Sequence, residues 1–61
     1  PAHDEAELLA LAVGILMHRH TLGRARAQDK LQALARDRGE SPLQQARRLV
    51  DAIETLAGTD G

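Results

Sequence analysis

The 61-residue chain predicts an all-α fold: a three-helix bundle that forms one domain over residues 1–61, dimeric through its first helix. Three observations lead there. Apolar residues recur at three- and four-residue spacing in three successive stretches, the signature of helices with a buried face. Capping and stop residues bound those stretches, and no alternating strand pattern, repeat or low-complexity segment competes with them. Finally, the chain has no cysteine and no aromatic residue, so its core must come from Leu, Ile, Val, Ala and one Met. A chain this short buries only about 60 % of its unfolded surface. With disulfides and thiolate metal sites excluded, a second copy is the supplement most available to it.

The first helix is expected over approximately residues 4–20. Asp4 can cap it, with Glu5 and Glu7 in the first turn where the positive end of the helix dipole favours them. Pro1 to His3 precede the cap and should fray. The segment Ala12-Val13-Gly14-Ile15-Leu16-Met17 is the centre on which the chain is organised. On a wheel of about 100° per residue, Leu9, Leu16, Met17 and His20 gather around Val13, with Ala6 and Ala10 beside them. Leu8, Leu11, Ala12 and Ile15 fall on the other side. A helix apolar on two faces needs two things to bury them against: its own bundle and another chain. Leu8, Leu11 and Ile15 follow the spacing of a coiled-coil seam and are the candidate dimerisation residues. The face of Leu9, Val13 and Met17 is the alternative. Gly14 costs roughly 1 kcal/mol against Ala in a helix; it either admits a neighbouring backbone or is merely tolerated.

The second helix is expected over 24–38, with Ala27, Leu31, Leu34 and Ala35 as its apolar stripe. Gly39 suits the left-handed residue that ends it, and Arg36 and Arg38 complement the dipole of its last turn. The third, over 42–57, has the clearest start. Ser41 caps, Pro42 takes the first helical position and Gln44 is the reciprocal partner of Ser41. Leu43, Ala46, Val50, Ile53 and Ala57 line one face, Leu49 and Leu56 widen it, and Gly58 should close the helix.

The net charge of −1 hides a strong asymmetry. Residues 1–17 carry −3 and residues 49–61 carry −3, whereas residues 18–48 hold all eight Lys and Arg and carry +5. Such separation points to a polyanion-binding face. Arg26 and Lys30 share a flank of helix 2, Arg36 and Arg38 sit at its end, and Arg47 and Arg48 lie on helix 3. Arg19 and Arg24 add to the set. Surface pairs such as Arg26 with Asp29 or Arg47 with Asp51 offer these cations a competing role.

The run Ala12-x-Gly14-Ile15-Leu16-Met17, followed by Ala27 and Leu31, then Ala35 leading to Leu43 and Ala46, resembles the ANTAR domain. The resemblance covers roughly Glu7 to Ala57. It implies a three-helix, RNA-binding module of bacterial transcription antitermination regulators, acting in the cytoplasm as a homodimer on paired RNA hairpins. Arg26, Lys30, Arg36, Arg38, Arg47 and Arg48 are then the candidate RNA-binding residues. It also implies a sensory or receiver domain, and none is present in these residues, so the chain is expected to be either an excised module or a fragment of a longer regulator. The chain departs from the family pattern at three places. Gln28 stands where an aromatic residue is common, Arg24 and Arg26 where acidic residues are common, and Gly39-Glu40 where the loop often carries Asn. A missing ring removes a platform on which an unpaired base could stack.

Other chemistry has little to work with. His18 and His20 are about 200° apart around the helix and cannot share an ion, so no metal site is expected; His20 should pack at the core edge and His18 should be exposed. Ser41, Thr21, Thr55 and Thr59 have no base placed to activate them. No catalytic residue, cofactor or enzymatic activity is expected. The run Leu8 to Met17 is far short of the ~20 residues that cross a bilayer, so no membrane partner is expected either. The rival readings are a helical dimerisation module without RNA binding and a DNA-binding helix-turn-helix pair.

Overall fold

The computed structural model describes residues 4–59, with side chains for residues 4–56. It contains α1 (Glu5–His20), α2 (Arg24–Arg38) and α3 (Pro42–Thr59), each packed against both of the others. The expected bounds of the first two helices hold to within a residue. The third runs through Gly58 to Thr59 rather than closing at Gly58. The expected fraying of Pro1 to His3 and the burial of Ala57 lie outside the described residues and side chains.

Local chemistry sets the helix starts. The Glu7 amide donates to Asp4 Oδ1 at 2.8 Å, which satisfies one of the orphan N–H groups of the first turn. At α3 the capping box closes in both directions. The Gln44 amide donates to Ser41 Oγ and the Ser41 amide donates to Gln44 Oε1, each at 3.1 Å.

Two helices end in the same motif with different residues. At the end of α2, Gly39 is left-handed with φ 69°, and the Glu40 amide donates back to the Ala35 carbonyl at 3.0 Å. At the end of α1, Thr21 takes that place with φ 53°, and the Leu22 amide donates to the Met17 carbonyl at 3.0 Å. Both are Schellman closures. Glycine accepts the left-handed conformation without penalty, whereas a β-branched threonine pays about 1–2 kcal/mol. Leu22, packed against the core, supplies the apolar contact that commonly accompanies the motif.

The core is made of small and medium aliphatic side chains. Ala12, Ala27 and Ala46, one from each helix, have no exposed surface at all. Such small residues let helix axes approach closely and make a dense interior without a ring. Around them Val13, Leu16 and Leu31 are buried, with Leu9, Met17, Leu22, Leu34 and Leu49 packed at the edge. Leu8 and Leu16 are each 2 % exposed, and burying such a side chain stabilises by about 1.5–3 kcal/mol.

Two expectations are corrected here, and one left open is decided. Leu8, expected in an outward seam, packs inside the chain's own core together with Ala12, so α1 turns Leu8, Leu9, Ala12, Val13 and Leu16 inward and leaves Leu11 and Ile15 at the outer side. His20 is exposed, as is His18, because α1 ends before the bundle can cover it. Of the two readings of Gly14, the one in which it is merely tolerated holds: among the described residues no neighbouring helix comes within 4 Å of where a Cβ would lie. One residue was unforeseen: Gln45 is only 4 % exposed, and its Oε1 meets no donor. An unsatisfied buried acceptor costs about 1–3 kcal/mol, against which the burial of Ala46 and Val50 on the same helix is favourable.

Candidate nucleic-acid interface

The basic side chains lie where helix geometry puts residues that cannot enter the core. Arg26, Arg36, Arg38, Arg47 and Arg48 are exposed, and Lys30 is half-buried. Arg26 and Lys30, one turn apart, line a shallow groove with Leu22, Asp29 and Ala33. Lysine's aliphatic stem can lie along apolar surface while its ammonium reaches water. Arg47 and Arg48 line a second groove with Glu40, Gln44 and Asp51 at the start of α3. Arg36 and Arg38 occupy the last turn of α2, where their charge complements the exposed carbonyls. The six predicted cations therefore form two pairs on separate grooves, with the α2 terminus contributing the third.

Arg48 forms an ion pair with Glu40, whereas among the described residues neither Arg26 with Asp29 nor Arg47 with Asp51 pairs. The Arg48 Nε–H donates to both carboxylate oxygens of Glu40, at 2.8 and 3.1 Å. The Glu40 side chain is 12 % exposed and that of Arg48 59 %. This hydrogen bond first, and then the carboxylate's charge, raises the Arg48 pKa further above the usual arginine range. Sequence reasoning missed Glu40 because its partner lies eight residues away, across a helix start.

α1 and α3 also present a largely apolar groove lined by Ala10, Leu11, Gly14, Ile15, His18, Arg19 and Ile53. Leu11 and Ile53 are each 39 % exposed and Leu56 is 68 % exposed. No helix is long and apolar enough to cross a membrane, and no three His, Asp or Glu side chains gather as a metal site, among the described residues.

A family model for the ANTAR domain matches residues 2–50, which takes in all of α1 and α2 and the first half of α3. The chain belongs to the ANTAR domain family. No curated protein and no solved structure matches it. ANTAR domains are RNA-binding modules of antitermination regulators, a regulatory rather than an enzymatic family.

The structure also gives a place to the ring that this ANTAR domain lacks. Gln28 lines a cleft with Leu9, Val13, Leu31, Gln32 and Pro42, between α1, α2 and the start of α3. An aromatic side chain at this position would have apolar partners on the bundle itself. Gln28→Phe is therefore expected to stabilise the fold by about 1 kcal/mol through added apolar burial. That corresponds to a rise in thermal midpoint of roughly 4–8 °C for a domain of this size, readable by circular dichroism. A midpoint that falls or stays level would mean that a ring at position 28 gains no burial against the bundle.

Proposed function

We propose that this ANTAR domain binds hairpins in nascent RNA as a homodimer, in the bacterial cytoplasm, and so acts in transcription antitermination. Family membership carries the reading. The surface placement of Arg26, Lys30, Arg36, Arg38, Arg47 and Arg48 supports it, because phosphate contacts supply most of the affinity of nucleic-acid modules. Dimerisation is proposed through the outward stripe of α1, now Leu11 and Ile15 without Leu8, extended by Ile53 of α3. A dimer suits a paired target, since holding the second module near the second hairpin raises its effective concentration.

The test compares a tandem-hairpin RNA, a scrambled RNA and a duplex DNA at two salt concentrations. The tandem hairpin should bind most tightly, and its affinity should fall steeply with salt. Binding to none of the three would favour a dimerisation module without RNA binding, equal affinity for all three would mean non-specific phosphate binding, and preference for the duplex would favour a DNA-binding helix pair. With Arg26→Ala/Lys30→Ala, affinity for every RNA should drop, and each phosphate contact removed should flatten the salt slope by roughly 0.7–0.9. Native circular dichroism with an unchanged slope would remove the α2 flank from the interface.

A further inference from the structure

The ion pair at the start of α3 has a geometry that surface pairs need not have. Both bonds run from one N–H, Nε, to the two oxygens of Glu40. That occupies the side edge of the guanidinium and leaves the Nη1 and Nη2 amino groups at its tip for another acceptor. The Arg48 side chain is 59 % exposed, while that of Glu40 is only 12 % exposed, so solvent and ligands reach the arginine far more readily than the carboxylate. The carboxylate is itself held, because Glu40 follows the left-handed Gly39 and its amide is fixed on the Ala35 carbonyl at 3.0 Å. Gln44 and Arg47 share the same groove.

We propose that Glu40 is a positioning residue for RNA binding, holding Arg48 by its Nε edge so that its terminal amino groups meet a phosphate two oxygens at a time. This rests on the RNA reading above and deepens it by assigning one phosphate site. An arginine fork matches the spacing of phosphate oxygens, and a fork already held loses less freedom on binding than a free side chain. The negative charge of Glu40 does not compete for the same donors. The phosphate approaches from the far end of the guanidinium, which lies between the two anions. A lysine ammonium could touch both anions but only as a point charge, so holding one edge while presenting a planar two-donor fork needs arginine here.

A double-mutant cycle on the intact chain separates orientation from charge, read as affinity for the tandem-hairpin RNA. Arg48→Ala should weaken binding and reduce the salt slope by roughly 0.7–0.9. In that background Glu40→Ala should strengthen binding slightly, since only a repelling charge is lost. With Arg48 present, Glu40→Ala should instead weaken binding, giving a coupling between the two positions of about three- to tenfold. Glu40→Gln keeps an oxygen acceptor for Nε and should restore most of the loss, and it serves as the reference should Glu40→Ala fold poorly by circular dichroism. If Glu40→Ala strengthens binding equally in both backgrounds, Glu40 is only a surface charge and the proposal fails. If it strengthens binding more when Arg48 is present, Glu40 masks the arginine and the proposal fails as well. A parent protein without salt-dependent affinity for the hairpin overturns the RNA reading itself, a result distinct from parent binding with no coupling.

Discussion

Leu16→Ala is expected to remove most of the stability of the domain. Leu16 is 2 % exposed and lies in the cluster that joins all three helices through Ala12, Ala27 and Ala46. Truncating a buried leucine costs about 2–5 kcal/mol, because the transfer energy is lost and the cavity closes only in part. Domains are stable by roughly 0.05–0.15 kcal/mol per residue, so a chain this short has little beyond that to lose. There is no ring and no disulfide to take up the loss. Urea unfolding followed by circular dichroism should show a greatly lowered midpoint or no cooperative transition. Leu56→Ala, at 68 % exposure, is the matched control and should change stability by less than about 0.5 kcal/mol. Similar effects at both sites would mean that α1 does not turn Leu16 inward.

Leu11→Glu is expected to disperse the proposed dimer and, with it, the advantage of a paired RNA target. Leu11 is 39 % exposed in the single chain, so a carboxylate there can reach water in the monomer. In a dimer built on the groove of Leu11, Ile15 and Ile53 the same charge would be buried without a partner, which is strongly unfavourable. Affinity for the tandem hairpin should fall towards that for a single hairpin, a loss of about 10²–10⁴ if the dimer bridges both sites. Binding to one hairpin should change little. Sedimentation reports the assembly and circular dichroism the fold. Ile15→Glu probes the same groove from a half-buried position and is the harsher variant, since part of its effect falls on the bundle. A folded Leu11→Glu protein that stays dimeric would move the interface to another face of the molecule.

What the chain's own residues determined is everything that depends on near neighbours. Asp4 caps α1, Ser41 and Gln44 close the box at α3, and Gly39 ends α2 in the conformation its missing side chain allows. These interactions span three to five residues, and the three-helix architecture follows from them together with the apolar stripes. The run from Ala12 through Gly14-Ile15-Leu16-Met17 likewise sufficed for the family resemblance, now matched over residues 2–50. Tertiary packing decided the rest. The first helix is apolar on two sides, and its periodicity is the same whichever side turns inward. Only the positions of α2 and α3 draw Leu8 into the core and leave Leu11 outside. Gln45 reads as a surface amide until α3 buries it beside Ala46. Gln28 stays exposed, and it takes the packing of three elements to set it at the edge of a cleft with Leu9, Val13 and Leu31. Glu40 and Arg48 meet because the turn at Gly39 sets the loop over the first turns of α3. Each of these outcomes depends on the relative placement of whole helices, which the pattern along a single helix does not contain.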